Sequence, residues 1–243
     1  MKKTFFFILL LFVINNFYSQ SKNDVLSDKI LKQLNINKKD IHKELYREKV
    51  LPNKTSNTVM VIPKYRTNET DPYGHLYLEL DAYIVVADNL TGKILSKYIE
   101  ENAWTSDAFA LTDITIDTGI YQLNPENRAF GIRVSYEGSS RPNPFSKTEL
   151  SLFIIQKNIM KRVLKNYPIK DFHGEWDTNC AGEFEDVVSV ISIDKNKTNG
   201  FGNLIIKNNI EITKNILTTD DCIEKKTSKI STSVLKYNGK TYK

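Results

Sequence analysis

Chemistry-bearing side chains are scarce in this chain: of 243 residues, two are cysteine, three histidine and two tryptophan. His42, His75 and His173 form no H-x-x-x-H or H-x-H pair, which excludes a zinc site built on paired imidazoles. There is no G-x-S-x-G turn and no glycine-rich phosphate loop, so no familiar nucleophile or nucleotide cradle is present. Asp194 to Gly200 superficially suggests a calcium loop, but its glycine falls one place late and Ile205 stands where a closing glutamate belongs. It reads as a hairpin turn. No catalytic residue, metal ligand or cofactor is assigned.

Long apolar runs are also missing. Phe5 to Val13 is apolar but too short to span a bilayer, and it follows Lys2 and Lys3, so residues 1–20 read as a cleaved signal peptide. No cysteine lies near its end, which excludes a lipid-anchored amino terminus. The expected location is periplasmic or secreted, with no membrane span. Loss of Lys2 and Lys3 lowers the net charge from +5 to about +3, spread along the chain rather than concentrated on one face. That distribution argues against a nucleic-acid partner. In an oxidising compartment the pair Cys180 and Cys222 is expected to be bridged.

What the chain does have is strand patterning. In His75 to Asp88, Leu76, Leu78, Leu80, Ala82, Ile84 and Val86 share one face, and Tyr77, Glu79, Asp81, Tyr83 and Val85 the other. Lys93 to Glu100 returns as its hairpin partner. Arg128 to Gln156 holds two further strands around the loop GSSRPNP, where Gly138, Pro142 and Pro144 stop pairing and Arg141 sits at the tip. Ala103 to Leu111 has Trp104 and Phe109 without a period and reads as a loop with aromatic anchors. Asn238-Gly239 predicts that the last four residues fold back on the final strand.

The pattern predicts an all-β protein: an antiparallel β-sandwich over residues 55–168, followed by a small disulfide-closed antiparallel β module over 169–243. Residues 21–54 form a polar, partly helical leader, mobile in this reading, with Val25, Leu26, Ile30, Leu31 and Leu34 on one helical face and Asp24 as a possible cap. A domain boundary is placed near Pro168.

Three surfaces attract a functional reading. Binding is expected through the loop of Ser139, Ser140 and Arg141 or through the tyrosine-bearing sheet face of Tyr77 and Tyr83. The third is the acidic cluster of Glu175, Asp177 and Glu183 near His173 and Trp176, whose carboxylates could serve acid–base chemistry. Turn chemistry, a second core layer and an ordinary strand entry are the respective structural readings of the three, and they are the stronger ones. With RAFGIRVSYEGSSRPNP, LSLF and GEWDTNCAGEF in that order, roughly residues 75 to 190 resemble a group of uncharacterised exported bacterial β-rich proteins. The resemblance implies export and a cysteine-containing tail, and it brings no activity. The expected function is non-catalytic binding of a protein or envelope component. The alternatives are a secreted hydrolase using the carboxylates near Trp176, and an immunity protein or inhibitor of a secreted toxin.

Overall fold

The computed structural model describes residues 25–72, 74 and 76–243. The expected signal peptide and the Asp24 cap lie outside the described residues. Two antiparallel sheets form the body. The first has four strands in sequence order, β1 (Arg47–Leu51), β2 (Lys54–Thr70), β3 (Leu76–Asp88) and β4 (Ile94–Ser106). The second has seven, β5 (Phe109–Asn124), β6 (Asn127–Gly138), β7 (Phe145–Gln156), β8 (Ile159–Trp176), β9 (Gly182–Thr198), β10 (Phe201–Leu217) and β11 (Cys222–Leu235). Every strand of this sheet pairs with its sequence neighbour, so the whole sheet is a chain of hairpins.

The turns follow from local chemistry. Lys157 and Asn158 between β7 and β8 have φ of 49° and 64°, and Asn199 and Gly200 between β9 and β10 have 48° and 84°. Two consecutive left-handed residues match the right-handed twist of the flanking strands, which is why asparagine and glycine collect there. The last residues fold back as expected. Asn238 N–H donates to Thr241 O at 3.1 Å, Tyr237 bridges Tyr242, and Tyr242 N–H donates to Val163 O at 2.7 Å.

Three apolar clusters hold these elements. Between the sheets, Val59, Val61, Leu80, Ile84 and Val86 meet Ile114, Ile132, Val134 and Phe153. This makes the sandwich. A second cluster gathers Leu150, Leu152, Ile154, Leu204 and Ile206 with Tyr237 and Tyr242 from the carboxy-terminal fold-back. The seven-stranded sheet curls around it until Asn124 Nδ2 donates to Gly200 O at 3.1 Å. The third sets Ile30, Leu31, Ile36 and Ile41 against Met60, Ile62, Val85 and Ala87 of β2 and β3.

That third cluster corrects the expectation of a mobile leader. A helix α1 over residues 25–34 and two short 3-10 turns, Lys38–Asp40 and Lys43–Leu45, lie against the four-stranded sheet, and β1 itself falls within the supposed leader. The cause is the second face of β2 and β3, which is apolar and needs a cover. A second correction concerns residues 103–111, expected as a loop. They form the end of β4, a tight turn at Asp107-Ala108 and the start of β5. The strand period is obscured there because Ser106, a polar residue, is buried and accepts the Leu111 N–H at 3.0 Å through Oγ.

β8 runs through Pro168 without interruption, so both parts of the chain share one sheet. Cys180 and Cys222 are bridged, tying the turn after β8 to the start of β11. Between the sheets, Arg162 of β8 holds Glu100 of β4 with both terminal guanidinium nitrogens, Nη2 to Oε1 at 2.9 Å and Nη1 to Oε2, and Lys165 adds a longer contact at 3.4 Å. Burial raises the Glu100 carboxyl, but the hydrogen bonds and charges of Arg162 and Lys165 outweigh it and hold the group below its ordinary value. Burial likewise pushes Tyr121 up to about 12, helped by its 2.7 Å hydrogen bond to Asp117.

These shifts set a pH profile. A depressed carboxyl contributes stability above the ordinary carboxylate range, about 4, and loses it as pH falls through the lower folded value. A raised phenol contributes below about 10 and loses it as pH rises through its folded value. Urea midpoints should therefore form a plateau from about pH 5 to 9 and fall on both sides. In Glu100→Gln the acid-side fall should be shallower, and an equally steep fall would show that this ion pair does not link the sheets.

Candidate functional site

At one end of the sandwich the β2–β3 connection, the β4–β5 turn, the β6–β7 loop and the end of β8 meet around an open cleft of about 790 Å³. Leu76, Tyr77, Phe109 and Phe145 supply its apolar wall. Leu76, Tyr77 and Phe109 are 48%, 40% and 46% exposed, a large apolar surface to leave in water at one place. Phe109 and Phe145 pack with ring centroids 4.4 Å apart, so the wall is preformed. Asp71, Asp107, Ser139, Ser140, Asn143 and His173 add polar groups around it.

The β6–β7 loop is shaped by short bonds. Ser140 Oγ accepts the Asn143 N–H at 3.2 Å, while Pro142 O and Pro144 O accept the N–H groups of Trp176 at 2.8 Å and Gly174 at 3.2 Å. The two prolines thus end strand pairing through their missing donors yet still anchor the loop through their carbonyls. Arg141 turns away from the cleft and lies over the Trp176 ring, 5.3 Å from its centroid. Glycines opposite the aromatics let the strands close here. A Cβ on Gly182 would sit 2.8 Å from Glu175 O and 3.0 Å from the Trp176 ring, and one on Gly174 only 2.9 Å from Glu183 O.

Of the residues singled out from the sequence, Tyr77, Ser139 and Ser140 share the cleft wall, and Arg141 stands beside it on Trp176. Tyr83 is elsewhere. It is half-buried in the cluster under α1, on the second packed face of β3. Tyr77 Oη donates to Glu79 at 2.9 Å, and this bond, with burial and the charges of Glu79, Asp107 and Glu69, raises its phenol. Leu76, Phe109, Phe145 and Asp107 were not anticipated. The signal available was the aromatic Phe109 in an aperiodic stretch.

The acidic cluster does not converge on one point. Glu175 and Glu183 are cross-strand neighbours and both exposed, with Glu183 3.4 Å from Lys214. Asp177 is committed to its turn. Its Oδ1 accepts the N–H groups of Asn179 and Cys180 at 2.8 Å each, which holds the carboxyl below its usual range. His173 lines the cleft and its Nδ1 lies 3.2 Å from Asp171 Oδ1, but no hydrogen bond joins its ring to Ser139 or Ser140. Among the described residues no group of three or more His, Cys, Asp or Glu side chains is placed to hold a metal, and no helix is long and apolar enough to cross a membrane. Compared with protein-family models, curated proteins and solved structures, the chain matches none of them.

Proposed function

We propose that this is an exported, non-catalytic binding protein whose partner, a protein or envelope component, docks at the cleft lined by Tyr77, Phe109, Phe145, Ser139 and Ser140. The observation that carries the reading is the concentration of exposed Leu76, Tyr77 and Phe109 around a preformed cavity at one end of a tightly packed sandwich. The disulfide supports an oxidising compartment. A rigid aromatic wall loses little side-chain entropy on binding, so it suits recognition. The carboxylates near Trp176 are spread over an exposed strand end, an arrangement that favours binding over hydrolysis.

The test is retention of a partner from an envelope extract of the source organism, comparing the wild-type chain with Phe109→Ser and Leu76→Ser. One dominant partner, retained by the wild type, reduced at least about tenfold by Phe109→Ser and less by Leu76→Ser, is expected, since a buried aromatic anchor is commonly worth more than about 2 kcal/mol. Both positions are already exposed, so circular dichroism should show intact folding. Retention unchanged in both variants would remove the cleft from consideration.

A further inference from the structure

We propose that the cleft selects a polypeptide segment in which a lysine or arginine is flanked by aromatic or large aliphatic side chains. This rests on the binding reading above and names the chemistry of the partner. The chain as a whole is basic, with 34 Lys and Arg against 29 Asp and Glu. The cleft has the opposite sign. Its formally charged lining groups are Asp71 and Asp107, and no lysine or arginine is among the described residues that line it.

The acidic character extends beyond the lining. Glu79 accepts the Tyr77 hydroxyl at 2.9 Å, and this bond, with burial and the smaller effects of the charges of Glu79, Asp107 and Glu69, raises the Tyr77 phenol, while Arg66, whose charge also reaches Glu79, is held by Asp81 and Glu101. Arg141, the arginine of the β6–β7 loop, has its guanidinium over Trp176 instead. An incoming cation therefore meets carboxylates at the rim and the aromatic faces of Tyr77, Phe109 and Phe145 within, and both attract it. Its apolar neighbours in sequence would cover Leu76 and Phe109. An incoming carboxylate meets like charge, and this repulsion supplies discrimination that the apolar wall alone lacks. The cleft is open and about 790 Å³, room for several side chains of one extended segment.

Three acetylated and amidated pentapeptides test the proposal, with Phe-Lys-Phe, Phe-Gln-Phe or Phe-Glu-Phe between terminal alanines, titrated into isotope-labelled protein and followed by NMR. The lysine peptide should shift the resonances of Leu76, Phe109 and Ser139 and bind about tenfold more tightly than the glutamate peptide at low salt. That preference should shrink as salt screens the rim. Asp107→Asn should reduce it severalfold while leaving the fold intact, because the amide oxygen can still accept the Phe109 N–H that Asp107 Oδ1 accepts at 3.1 Å. Equal binding of the three peptides at the cleft would overturn the charge selection and leave the binding site standing. Tighter binding of the glutamate peptide, or no effect of Asp107→Asn, would also overturn the selection. If no peptide perturbs cleft resonances, the polypeptide selection fails, and the binding reading is then decided by retention of the envelope partner in Phe109→Ser and Leu76→Ser.

Discussion

Phe153→Ala should lower the unfolding free energy by about 3–5 kcal/mol, among the largest effects expected of any single substitution in this chain. Phe153 is 1% exposed and stands at the centre of the sandwich. Its ring stacks on Phe130 of the neighbouring strand β6 at 5.7 Å and meets the edge of Tyr98, from β4 of the opposite sheet, at 5.2 Å. Removing it opens a cavity that neither sheet can fill, because each is held in register by its own ladder. Urea denaturation followed by circular dichroism gives the value. A loss below about 1 kcal/mol would mean that the space collapses or that the sheets do not pack there.

Joint replacement Cys180→Ser and Cys222→Ser should cost about 4 kcal/mol in the chain-entropy account of a crosslink closing 42 residues. The enclosed segment contains β9 and β10, and the far anchor, β11, is exposed along nearly its whole length. β11 buries little apolar surface, so its attachment depends on the ladder to β10 and on the bridge. In the variant, amide exchange should accelerate first in β11 and in the 177–181 turn, before the inter-sheet core. An unchanged denaturation midpoint on reduction would show that β11 holds without the covalent tie.

Much of the fold was legible in the sequence because period-2 alternation and turn chemistry are local signals. β3, the β6–β7 pair and the Asn238-Gly239 fold-back follow from them, and the Cys180–Cys222 bridge from there being only two cysteines. What was not legible depends on distant partners. Tyr83 alternates the same way whether its face meets water or α1, and only the helix decides. The polar pair Asn208-Asn209 stands in the middle of β10, yet the strand is continuous. The Asn208 side chain accepts from Ser189 at 2.8 Å and donates to Ser231 at 3.2 Å, so the polar residue belongs to a ladder across β9, β10 and β11.

The site was half legible for the same reason. Ser139, Ser140 and Tyr77 were identified separately, but the sandwich that places them on one wall joins segments more than sixty positions apart in sequence. Arg141 was expected at the tip of a solvent-facing loop and lies instead over Trp176, whose neighbourhood had been weighed as a separate acidic site. The Arg141 loop and the acidic cluster near Trp176 are therefore adjoining parts of one end of the molecule.

The most direct test of the cleft as the docking surface is site-specific photo-crosslinking in the source cell, with Phe109→p-benzoylphenylalanine compared with the same substitution at Leu90. Leu90 is 89% exposed and follows the far end of β3, on the order of 40 Å from Leu76 at the usual rise per strand residue. A discrete adduct from position 109 and none from position 90 is the predicted result. Adducts from position 90 alone, or the same adducts from both positions, would contradict it.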